Sequence, residues 1–108
     1  MPAIYGSWAD RRDNIVTLGT LTTTAATDSV EVSANNFTFV HDVTGSNVTV
    51  VDEGSMDGTT WFALDTAKAH GQSEVDAHFY QGRIVRFVRS RVTAIGADES
   101  VTITMACD

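Results

Sequence analysis

From Ile15 to the C-terminus the sequence is a succession of short apolar–polar alternations broken by Gly, Asn, Asp and Ser, and its single proline, Pro2, lies outside them. Proline has no backbone N–H to give to a ladder, so its absence leaves every one of these runs free to pair on both edges. Threonine and valine dominate the runs, and their branched Cβ suits a pleated, half-buried surface. "IVTLGTLTT" (15–23), "SVEVSA" (29–34), "FTFVHDV" (37–43), "NVTVVDEGSM" (47–56), "TTWFALD" (59–65), "AHFYQGR" (77–83), "IVRFVRSRVTAI" (84–95) and "SVTITMAC" (100–107) read as strands. In the third, Phe37, Phe39, His41 and Val43 share one face; in the last, Val101, Ile103, Met105 and Cys107 point inward.

That is about eight short strands at the spacing of antiparallel sandwiches and barrels. No long helix alternates with them, which argues against a parallel α/β sheet. The fold expected is an all-β antiparallel β-sandwich, with jelly-roll and immunoglobulin-like windings both open. Residues 65–76 carry the only helical character, as one capped turn or a loop. Residues 1–14 lack a strand period and form an N-terminal arm before a single domain spanning 15–108.

Composition narrows the function classes. With 43% apolar residues the chain can bury one core. Fourteen acids against seven bases give a net charge of −7, which argues against nucleic acid as a partner, since phosphate neutralisation requires a surplus of Lys and Arg. No apolar run approaches the length of a membrane span, and "MPAIYGSWADRRDN" lacks the apolar stretch of a signal peptide. The lone cysteine, Cys107, falls on the inward parity of the last strand and reads as a small buried residue.

Motifs for chemistry are sparse. Asp57-Gly58 between two strand patterns signals a hairpin turn, with Ser55 or Thr59 bonding across it and Trp61 as the core anchor of the returning strand. A calcium site built from Asp52, Glu53 and Asp57 lacks the alternating acids such loops need. His41, His70 and His78 have no pairwise zinc-ligand spacing, and His41 reads as a satisfied core or edge histidine. No nucleophile elbow and no phosphate-binding glycine loop occur. The expectation is therefore no enzyme, no cofactor and no metal.

Two groups suggest partner contacts. In 84–95 strict alternation would bury arginines; a one-residue bulge near Phe87-Val88 would turn Arg86, Arg89 and Arg91 outward with Thr93. That stripe reads as a solvated face pairing with neighbouring acids, or as a subunit contact. In the arm, Ile4, Tyr5, Trp8, Arg11 and Arg12 are of the types that dominate interface hot spots.

The block "VTVVDEGSMDGTTWFALD" followed by "GRIVRFVRSRVTAIGADESVTITMA" resembles a pattern in small virion proteins of tailed bacteriophages. Ser55, Asp57, Gly58 and Trp61 match its Ser-x-Asp-Gly-x-x-Trp element, and Arg86 with Arg89 matches its Arg-containing strand; together they span Val48 to Met105. The resemblance implies a capsid decoration, or cement, protein on the virion surface, made in the host cytoplasm. Its implied partners are the major capsid protein and itself, as a homotrimer. A tail or head-to-tail subunit is the near alternative. Ser-x-Asp-Gly-x-x-Trp also occurs in discoidin-like and other carbohydrate-binding sandwiches, in which Trp61, Tyr80 or Trp8 would serve as a sugar-stacking platform.

Overall fold

The computed structural model describes residues 4–5 and 14–108. Its strands are β1 (Ile4–Tyr5), β2 (Ile15–Leu21), β3 (Val30–Val32), β4 (Phe37–Thr44), β5 (Val48–Ser55), β6 (Trp61–Ala63), β7 (Lys68–His70), β8 (Glu74–Tyr80), β9 (Phe87–Ala94) and β10 (Ser100–Cys107). One sheet runs β1-β3-β9-β5-β6, with β7 also paired to β5; the other runs β2-β10-β4-β8. Among the described residues all strand pairings are antiparallel except that of β1 with β3.

From β2 onward the chain changes sheet at every step except along β5-β6-β7. The first and last strands of the domain, β2 and β10, lie side by side. This is the winding of a jelly roll, which decides between the two windings the sequence leaves open. The core forms where the alternating faces meet: Phe37, Phe39 and Val43 from β4, Val101, Ile103 and Met105 from β10, Val48 and Val50 from β5, and Val88 and Val92 from β9. Cys107 closes this layer, buried as its parity requires. Among the described residues no helix is long and apolar enough to cross a membrane.

Three local expectations change. Residues 65–76 contain no helix; β7 and the start of β8 occupy them instead, because each strand gains a full ladder on a neighbour that an isolated helical turn would forgo. The phase change around Phe87 is not a bulge within a strand. Residues 84–86 lie before β9, which starts at Phe87, so Val85 and Val88 both turn inward. Irregular backbone ahead of the strand absorbs the parity conflict, held by Arg86 N–H to Ser55 O at 3.0 Å and Val32 N–H to Arg86 O at 2.8 Å. Within the arm, Ile4 and Tyr5 form β1 and lengthen the larger sheet beside Glu31 and Val32. Trp8, Arg11 and Arg12 lie outside the described residues, as do the side chains of Ile4 and Tyr5.

Candidate functional site

A group of polar side chains lies between the sheets, where a sandwich ordinarily holds aliphatic residues. Its centre is Asp52 on β5. The inward parity of β5 is that of Val48, Val50, Asp52 and Gly54, so the carboxylate points into the core opposite Ser90, its β9 partner. His41 reaches in from β4, on the same face as Phe39 and Val43. His70 comes from β7, paired with Val48. His78 and Tyr80 come from β8, where the inward positions are Glu74, Asp76, His78 and Tyr80.

The contacts form a chain across the sandwich. Asp52 Oδ1 accepts from His41 Nε2 at 2.8 Å and from Ser90 Oγ at 2.8 Å. Its Oδ2 accepts from the Tyr80 hydroxyl at 2.6 Å. His41 Nδ1 faces His70 Nε2 at 3.0 Å, and His70 Nδ1 donates to Glu74 Oε1 at 2.8 Å. His78 packs its ring on His41, with centroids 4.5 Å apart. Its Nε2 lies 3.2 Å from Asp76 Oδ2, yet this buried atom has no hydrogen-bond partner among the described residues.

Burial alone would raise the pKa of Asp52. The hydrogen bond and charge of His41, with the hydrogen bonds from Tyr80 and Ser90, outweigh it and hold the carboxyl below its ordinary value. Burial, then the adjacent Asp52 carboxylate, pushes the Tyr80 phenol far up, so it stays a donor. Burial, then the neighbouring His41, holds His78 below the usual histidine value and so favours its neutral ring. Ser90 donates to Asp52 and not to a histidine nitrogen, so these groups do not make a nucleophile–base pair. His41, His70 and His78 each offer a ring nitrogen within 4.8 Å of the others, and His70, Glu74 and Asp76 form a second such set.

The turn, the tryptophan anchor and the arginine stripe singled out in the sequence lie elsewhere. Asp57-Gly58 does turn a hairpin, joining β5 to β6 with Ser55 opposite Trp61. Its loop is residues 56–60, longer than a two-residue turn. Asp57 Oδ1 accepts from Thr59 N–H and Thr60 N–H at 2.8 Å each, and Ser55 Oγ from Gly58 N–H at 2.9 Å. Gly58 has φ 81°, a left-handed backbone that glycine adopts without strain. Trp61 is not the core anchor. Its partner Ser55 lies on the outward parity of β5, so Trp61 stands half-buried on the outer face beneath the Arg89 guanidinium, 4.2 Å from the ring centroid. Leu64 supplies the buried contact in its place.

The acids weighed as calcium ligands are dispersed. Asp52 is in the core, Asp57 is in the turn, and Glu53 is on the outer face, clamped by Arg89 Nε at 2.9 Å and Arg91 Nε at 3.2 Å. Arg86 pairs with Glu31 at 3.0 Å. The arginine stripe thus faces outward and is matched by acids on neighbouring strands. Tyr80 is buried and unable to stack on a sugar; the exposed aromatics among the described residues are Phe62 and Phe79. Parity in the sequence sets His41 inward but does not reveal its convergence with His70 and His78. From His41 to His70 is 29 residues and from His70 to His78 is 8, and only the sheet-to-sheet crossing after β7 brings the three together.

No protein-family model matches the sequence, and no curated protein does. Among solved structures, a chain in a structure of the Gx strain of infectious bursal disease virus is similar at 8% identity and a TM-score of 0.47. The match covers 85% of this chain and 30% of that one, so this chain spans under a third of its length. This likeness says nothing of what the chain does.

Proposed function

We propose that the chain is a non-enzymatic structural protein of a virion, a capsid decoration protein that docks on the assembled shell. One observation supports this reading beyond the sequence resemblance. Strand β8, at the edge of the smaller sheet, sends its polar residues inward and its apolar ones out, leaving Val75 71% and Phe79 73% exposed with Ala77 between them. Edge strands on soluble monomers are commonly blunted by charge or proline, and contiguous exposed apolar surface marks an interaction face. An interface completed only in the assembled shell adds its binding free energy to that state. Self-association as a homotrimer, with contributions from Ile4, Tyr5, Trp8, Arg11 and Arg12, would add avidity.

The test is co-sedimentation with shells of its own virus assembled without it, alongside light scattering of the free protein. Wild type is expected to be trimeric and to pellet with the shells. A Val75→Asp, Phe79→Asp double variant is expected to bind at least about tenfold more weakly. A monomer that ignores shells and binds glycans would overturn the proposal in favour of a carbohydrate-binding module.

A further inference from the structure

We propose that His41, His70 and His78 form a site for a divalent transition metal of the zinc class, clamping the two sheets at their β7–β8 edge. The carboxylates fix where the ring protons sit. Asp52 accepts from His41 Nε2, which therefore carries a proton, and Glu74 accepts from His70 Nδ1, which therefore carries another. The facing atoms His41 Nδ1 and His70 Nε2 stand 3.0 Å apart, each on a ring whose other nitrogen is already held by a carboxylate. Such a pair can share one proton or, with a small outward shift, hold one metal ion in the proton's place. The buried Nε2 of His78, 3.2 Å from Asp76 Oδ2, makes no hydrogen bond among the described residues, and the His78 ring brings a third imidazole to the cluster.

This constellation has the features of a metal site rather than of a packed core. The three rings offer nitrogens within 4.8 Å of one another, and nitrogens around a tetrahedral ion at a Zn–N length of about 2.0–2.1 Å stand roughly 3.3 Å apart. Two of the three rings are oriented by a carboxylate on their far nitrogen, as metal-bound histidines characteristically are. Asp52 is itself fixed by Tyr80 and Ser90. Imidazole donors without thiolates suit zinc, copper, nickel or cobalt over calcium or magnesium. Glu74 and Asp76, with side chains 31% and 44% exposed, line the outer edge of the cluster and supply a negative access route for a cation.

The site joins strands from both sheets: His70 from the larger, His41 and His78 from the smaller. A bound ion would therefore tie together elements far apart in sequence and favour the folded chain.

The experiment uses the full-length protein stripped with a chelator and titrated with Zn2+ in competition with a chromophoric chelator, with Co2+ as a spectroscopic probe. The expected result is one ion per chain, a raised thermal midpoint, and the intense visible Co2+ bands of a four-coordinate site. His78→Gln, chosen because His78 is the least buried of the three, is expected to keep the far-ultraviolet spectrum of wild type and to bind at least about 100-fold more weakly. His70→Gln is the second variant, read in the same way. Absence of stoichiometric binding by wild type, or binding by folded His78→Gln and His70→Gln as tight as wild type, would overturn the proposal.

Discussion

Asp52 stands on the parity that Val48 and Val50 fill with aliphatic side chains, yet its two oxygens serve three donors, from His41, Tyr80 and Ser90. The residue therefore matters less for any one favourable contact than for what its loss leaves behind. Asp52→Ala removes the acceptor and strands three buried polar groups. The expected cost is about 3–5 kcal/mol, the range for breaking a buried charged network, read from urea unfolding at neutral pH. Trp61→Ala, at a half-buried outer position stacked on Arg89, should cost far less, about 1 kcal/mol. The ordering of these two variants separates the observed arrangement from the sequence expectation, in which Trp61 anchors the core.

At the scale of elements, β5 and its hairpin show how one strand serves two chemistries. Its inward face carries Val48, Val50 and Asp52, and its outward face carries Glu53 under two arginines. The hairpin that follows depends on an ionised Asp57. Hydrogen bonds from the Thr60 and Thr59 backbone hold its pKa below the ordinary 3.8. A carboxyl depressed in the folded state contributes stability that is fully present above the unfolded value and drains as the pH falls through the lower folded one. Glu99 behaves likewise, held below 4.5 by the backbone N–H of Ser46 and, after burial opposing it, by that of Gly96. Asp57→Asn should therefore flatten part of the stability loss between about pH 5 and pH 2, measured as urea midpoints against pH, with Glu99→Gln flattening another part. An acid limb of the stability profile indifferent to both substitutions would contradict these roles.

Over the whole molecule, the two sheets present different outer faces. The larger is salt-bridged, with Arg86, Arg89 and Arg91 each paired to a glutamate. The smaller exposes Val75, Phe79 and, on its other edge strand, Ile15. Exposed substitutions away from buried networks change stability by only about ±0.5 kcal/mol. The Val75→Asp, Phe79→Asp variant should therefore melt within a few degrees of wild type while its association changes. A large loss of stability would mean that these side chains support the fold itself.

Much of this architecture is legible in the chain. Alternation in 37–43 and 100–107 places Phe39, His41, Ile103, Met105 and Cys107 inward, as the structure has them; a period of two is a local property, fixed by backbone geometry alone. The Asp57-Gly58 turn is legible for the same reason. The winding, the outward setting of Trp61 and the meeting of His41, His70 and His78 are not. Each depends on which strand lies beside or across from which, and so on packing between residues tens of positions apart. Local chemistry was enough to dictate that strands would form, where most of them turn and which parity most of them bury. Which polar groups would share the interior was left to the packing of the two sheets, because a lone histidine on an inward parity becomes part of a site only when another sheet brings its partners.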